Sequence, residues 1–135
     1  MKKSLLLVGI AFLSFSVTGC FGNNGKGVLN ASCTKEEKSY NLTETNTYEF
    51  EYYKGNINKT TLTKSFDGID LSKTLDTYKK AYETYDGVTS EVGENKITYT
   101  FDLSKVNDEV KNIFKLKDTY NDQIKTLEGE GFACK

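Results

Sequence analysis

From Thr45 onward the chain switches between two hydrophobic periods. In the stretch Thr45 to Tyr53, Tyr48, Phe50 and Tyr52 point one way while Glu49 and Glu51 point the other, the period-two pattern of a half-buried strand. Lys54-Gly55-Asn56 is a turn signal. Ile57 to Phe66 reads as the return strand of a hairpin, with Thr60, Thr61 and Thr63 expected on its exposed face. After Asp67-Gly68 the period changes. Leu71, Leu75, Tyr78, Tyr82 and Tyr85 recur at spacings of four and three, which predicts a helix over Ser72–Tyr85 with Asp70 or Ser72 as its N-cap and Asp86-Gly87 as its stop. Such a Tyr stripe is either a ligand platform or the buried face of a helix on a sheet; the buried face is the expectation.

A second hairpin follows. Val88–Val92 is one strand, Gly93-Glu94-Asn95 the turn, and Lys96–Leu103 the other strand, in which Ile97, Tyr99, Phe101 and Leu103 alternate with Thr98, Thr100 and Asp102. Ser104 is placed to cap a helix carrying Val106, Val110, Ile113 and Phe114 on one face. A last helix is expected over Asp118–Leu127 with Tyr120, Ile124 and Leu127 inward. Gly129 and Gly131 break it, and Phe132-Ala133-Cys134 is short and extended. Strand pair, helix, strand pair, helices predicts an α+β fold: an antiparallel sheet built from two β-hairpins, with helices packed on one face. The hairpin turns are too short for parallel crossovers.

The first thirty residues have a different texture. Met1-Lys2-Lys3 is a charged start, Ser4 to Ser16 an apolar run, and Val17-Thr18-Gly19-Cys20 closes it. The run is too short to span about 30 Å of hydrocarbon comfortably, and small residues with a Cys follow it, the order of a cleaved export signal. The four closing residues resemble the bacterial lipoprotein signal. What that resemblance implies is transfer of diacylglycerol to Cys20, cleavage before it, and a two-chain anchor on the extracytoplasmic side of the cell membrane, where two acyl chains hold stably and one does not. Residues 1–19 are then a signal peptide, 20–31 a lipid-anchored tether rich in Gly and Asn, and 32–135 a single domain.

The cysteines sharpen this picture. With Cys20 taken by lipid, Cys33 and Cys134 remain, in a compartment where disulfides persist. The alternatives are two free buried thiols or a metal pair, and two Cys in a chain with no His make a poor zinc site. A disulfide joining the domain's two ends is expected. It requires Cα atoms about 4.4–6.8 Å apart, so Phe132-Ala133-Cys134 must lie beside residues 32–35.

Composition narrows the chemistry. The 135 residues contain no His, Pro or Trp, and all 18 basic residues are Lys; beyond residue 19, 16 Lys face 19 acids, a net charge of −3. No clustered basic surface argues for a nucleic-acid partner. There is no His base, no spare Cys nucleophile and no Ser-His-Asp set. Paired carboxylates are the remaining route to catalysis, and the candidates are Glu49 with Glu51 and Asp67 with Asp70. The first pair reads as a solvated sheet face. Asp67-Gly68-Ile69-Asp70 lacks the twelve-residue pattern of a calcium loop. Gly25-Lys26-Gly27 follows no strand and opens no helix, so it is no phosphate loop. No cofactor or metal is expected.

Several segments carry a further likeness: the Val17–Cys20 box, the Cys33-Thr34-Lys35 start, Tyr52-Tyr53-Lys54-Gly55-Asn56, Tyr85-Asp86-Gly87-Val88-Thr89, Ile97-Thr98-Tyr99 and Leu127-Glu128-Gly129-Glu130-Gly131-Phe132. Together they resemble the YehR-like family of small bacterial lipoproteins, over nearly all the chain beyond the signal. The resemblance implies a small α+β lipoprotein domain and supplies no catalytic residues. The expected function is a non-enzymatic envelope module that binds a protein, a glycan or a small ligand. An exposed cluster of Tyr48, Tyr52, Tyr53 and Tyr99 would serve it, since aromatic faces with polar tips suit glycans and peptides. The alternative is a cell-wall-acting enzyme or enzyme inhibitor, whose mark would be a deep cleft with carboxylates from different elements.

Overall fold

A computed structural model describes residues 28–135; the expected signal, Cys20 and the tether up to Gly27 lie outside the described residues. The alternating segments pair as a six-stranded antiparallel sheet, formed by β1 (Leu29–Ser39), β2 (Leu42–Tyr53), β3 (Asn56–Asp67), β4 (Val88–Gly93), β5 (Lys96–Asp102) and β6 (Ala133–Cys134), in the order β4-β5-β3-β2-β1-β6. Both expected hairpins are present, and β5 docks the second onto β3. Lys54 and Gly55 make the β2–β3 turn with φ of 52° and 81°, the positive pair that matches the twist of a two-residue hairpin.

One cross-strand row runs through all six strands: Cys134, Cys33, Tyr48, Leu62, Tyr99 and Ser90. The next row, Ala31, Phe50, Thr60, Phe101 and Val88, is buried throughout. These rows are the floor of the core. The opposite face is open and carries Ser, Thr and charged side chains, including a row of Thr34, Thr47, Thr63 and Thr98. Thr is favoured there because a branched side chain fits a pleated, half-wet surface. Thr60 departs from expectation. A bulge at Asn58, where Glu51 faces Lys59 and Tyr52 faces Ile57, inverts the pleat and turns Thr60 fully inward.

β1 was not legible as a strand, and its first three residues belong to the sheet rather than the tether. Leu29, Asn30 and Ala31 pair with Tyr52, Glu51 and Phe50, so the folded domain starts before residue 32. β6 lies against β1 with Cys33 opposite Cys134, and the two sulfurs are bonded. Their Cα atoms are 3.9 Å apart, closer than the range expected. Ser32 and Lys135 exchange both backbone hydrogen bonds, at 3.2 and 2.9 Å; the neighbouring Cys pair is therefore the narrow, non-hydrogen-bonded site of the ladder, where strands approach most closely.

Three helices cover the inner face: α1 (Ser72–Tyr82), α2 (Asp108–Phe114) and α3 (Tyr120–Gly129). Each differs from its expected bounds for a local reason. Asp70 accepts from the Ser72 amide and hydroxyl at 3.0 and 2.8 Å, while the N-cap position itself falls on Leu71, without a side-chain cap. α1 stops three residues early, where the Thr84 hydroxyl bonds back to the Ala81 carbonyl and Tyr85 N–H reaches Tyr82 O in a tighter turn. Ser104 does not cap α2, because its amide and hydroxyl are bound by Asp102; Asn107 caps instead, accepting from Val110 N–H at 2.9 Å. Thr119 caps α3, since the Asp118 carbonyl is engaged by Ile57 N–H at 2.8 Å.

Two polar side chains hold the connections. Gln123, fully buried, takes Lys117 N–H and donates to Lys115 O, each at 2.8 Å, and so fixes the α2–α3 loop. Asn95, at φ 55°, binds Phe66 O, Ile69 O and Leu71 N–H, and so locks the entry to α1 onto the β4–β5 turn. Gly68 is obligatory beside it: a Cβ there would sit 1.8 Å from the Asn41 carbonyl oxygen.

Candidate functional site

The helices do not cover the whole inner face. α3 stacks Tyr120 on Tyr52 and α2 packs Phe114 on Tyr99 and Phe101, whereas the sheet beyond Tyr48, Leu62 and Tyr99 is left open between α1 and the segment leading into β6. The result is an open cleft of about 460 Å³, within the usual size of small-ligand sites. Its floor is Tyr48, Leu62, Ile97 and Tyr99. α1 lines one wall with Leu75, Tyr78 and Tyr82; Glu130 and Phe132 line the other; the end of α2 closes it with Ile113 and Phe114. The rim is polar, with Lys35, Glu37, Glu44, Asn46, Lys64 and Lys115.

The floor is a packed aromatic cluster. The Phe114 ring packs 5.0 Å from both Tyr82 and Tyr99 and 4.8 Å from Phe101, while Tyr48 meets Phe132 edge-on at 5.4 Å. Tyr48 donates its hydroxyl to the Phe114 carbonyl at 2.8 Å and pins the end of α2 to the sheet. Burial, with Glu130 contributing, raises the Tyr48 pKa to about 12; burial, with Tyr82 and Tyr78 contributing, does the same for Tyr99. Both native values lie above the ordinary value near 10. Between about pH 10 and 12 the unfolded chain has lost these protons and the folded one keeps them, so stability is complete below pH 10 and falls as pH rises toward 12. Tyr48→Phe is expected to cost about 1 kcal/mol at neutral pH through the lost hydrogen bond and to make that alkaline fall shallower; urea midpoints across the range check both.

The rim is held in place. Lys64 bonds Glu44 at 3.1 Å and Asn46 Oδ1 at 2.7 Å, and Asn46 donates to Glu44 at 3.0 Å. Burial alone would raise the Glu44 pKa, but the hydrogen bonds from Asn46 and Lys64 and the Lys64 charge outweigh it and lower the value. Glu44 is thus a fixed anion, unsuited to delivering a proton near neutrality. Lys35 pairs with Glu37 at 2.7 Å, donates to Glu130 O at 2.8 Å, and sits 5.8 Å from the Phe132 ring centre.

The four Tyr proposed from sequence are not one exposed cluster. Tyr48 and Tyr99 are buried cleft floor. Tyr52 lies at the other end of the sheet, stacked on Tyr120 with ring centres 4.4 Å apart, and its pKa is raised by burial and by Tyr120. Tyr53 points to the outer face with Lys54 over its ring at 5.3 Å. The alternation that set Tyr48 and Tyr52 on one face says nothing about which end of it is covered. Tyr78, expected in the core, is instead 49 % exposed on the cleft wall, and Ile113 is likewise exposed.

Neither expected carboxylate pair reaches the cleft. Glu49 and Glu51 lie on the outer face, Glu51 paired with Lys59 at 3.3 Å, and Asp70 is occupied by Ser72. Among the described residues no group of three or more Cys, Asp or Glu is placed to hold a metal, and no helix is long and apolar enough to cross a membrane. No family model, curated protein or solved structure matches the chain.

Proposed function

We propose that this chain is a lipid-anchored envelope module of the YehR-like kind that binds, without chemical conversion, a ligand in the cleft between α1 and β6. The observation that carries this reading is an aromatic wall left uncovered above a packed floor: Tyr78 stands exposed where the rest of its helix face is packed. A preformed apolar surface ringed by fixed charges suits a ligand with one apolar face and a polar periphery. Sugar rings and short peptides share that chemistry. Glu44 and Glu130, from different elements, both line the cleft, the kind of lining the enzyme alternative would need. Glu44, however, is tied to Lys64, which favours binding over catalysis.

The test is calorimetric titration with two arms, cell-wall N-acetylated oligosaccharides and cell-wall stem peptides. Binding in either arm is expected, with Tyr78→Ala weakening it roughly tenfold, or about 1.4 kcal/mol, and Thr63→Ala on the outer face leaving it unchanged. A binder indifferent to Tyr78→Ala, or no binding in either arm, contradicts the reading. The anchor has its own test: Cys20→Ala is expected to abolish incorporation of labelled palmitate, and incorporation equal to the unsubstituted protein would refute lipidation at this residue.

A further inference from the structure

The exposed large apolar side chains divide between the two ends of the sheet. Tyr40, Ile69, Tyr78 and Ile113 belong to the cleft end and its turns. Val28, Leu29 and Tyr53 gather at the opposite end. The register puts them there: Leu29 faces Tyr52, so Val28 and Tyr53 are the next residues outward on adjacent strands. Lys54, at the tip of the same hairpin, lies over the Tyr53 ring. The α2–α3 loop joins this pole, since Tyr120 N–H binds Gly55 O at 2.8 Å. Exposed Lys117 precedes Asp118, whose carboxylate is paired with Lys111 at 2.9 Å.

We propose that this pole, through Val28, Leu29, Tyr53 and Lys54, rests in the headgroup region of the membrane that holds the protein, so that the cleft faces away from the bilayer. The inference rests on lipidation of Cys20. Leu29 lies nine positions beyond Cys20, a reach of at most about 32 Å. The chain therefore enters the domain at this pole and keeps it close to the membrane, but this limit on distance does not by itself set which side faces the bilayer. The side chains decide. Aliphatic residues beside a Tyr and a Lys are the composition that partitions into the interface, the ring at headgroup depth and the ammonium reaching to the phosphates. Holding them near the surface makes even a weak contact effective. Along β1 the cleft residue Glu37 lies eight positions beyond Leu29, about 26 Å of strand. The cleft ligand would then come from the aqueous or cell-wall side.

The chain has no Trp, so a single introduced Trp is a clean reporter. The full lipidated protein, carrying Tyr53→Trp, Val28→Trp or Tyr78→Trp, is placed in phosphatidylethanolamine–phosphatidylglycerol vesicles with brominated acyl chains, and lipidation of each sample is read by intact mass. The Tyr53→Trp and Val28→Trp proteins are expected to lose roughly half their emission, as for side chains at the headgroup–acyl boundary, and the Tyr78→Trp protein to lose none. Lipidated protein with no quenching in either of the first two, or with equal quenching in all three, overturns this orientation. Absence of lipid on Cys20 overturns the anchored reading and this inference with it.

Discussion

Replacing Cys33 and Cys134 together by Ala is expected to lower the stability of the domain by about 4–5 kcal/mol while leaving its fold intact. The bond closes a loop with a sequence separation of 101, and in the chain-entropy view a loop near 100 residues restricts the unfolded ensemble by about 4.7 kcal/mol. The domain has few other means of gaining that much. It has 108 described residues, three short helices and no Pro to stiffen the unfolded chain. Little is lost from the native side, because β6 retains its hydrogen bonds to β1 through Ser32 and Lys135. Urea unfolding would show a lower midpoint together with a steeper slope, since the unlinked chain exposes more surface. An unchanged midpoint would contradict this assignment of the effect.

Leu75→Ala comes next, at about 2–5 kcal/mol. Leu75 is 1 % exposed and is the one fully buried residue of α1, so it is the main fastening of that helix to β4 and β5. Without it, the half-buried Tyr82 and, at the N-cap, Leu71 would be left to hold α1 to the core. Lys79→Ala on the same helix removes an exposed pair with Glu83 and should cost well under about 1 kcal/mol. Similar losses for the two substitutions, measured as denaturant midpoints, would refute the packing described for α1.

What could be read from sequence follows from where the environment is uniform. β2 to β5 announced themselves because one face of each is dry and the other wet, so period two survives in the residues. The disulfide was legible because two thiols lie near the two ends of the folded domain. β1 was not, and the reason is informative. Of its inward positions, Leu29 sits at the exposed end of the strand and only Ala31 and Cys33 are both apolar and buried; the next two, Lys35 and Glu37, face the cleft, where nothing covers the sheet. The same holds for Asn46 on β2 and Lys64 on β3. These inward polar positions were the signal of the site, and they passed unread because each sits in a different segment. The stripe on α1 misled at Tyr78 for the same cause: a helix face can be continuous in sequence and still run past the edge of what it packs on. Thr60 lies inward rather than outward because of the bulge at Asn58, which no local pattern marks.

On the proposed function, the uncovered inner face, rather than the Thr-rich outer face, receives the ligand. The most direct measurement is amide chemical-shift mapping of the ¹⁵N-labelled protein during titration with cell-wall oligosaccharide or stem peptide. The largest shifts are expected at Lys64, Tyr78, Ile97 and Tyr99, which line the cleft. Shifts centred instead on Thr47, Thr63 and Thr98 would place the ligand on the opposite face and contradict it.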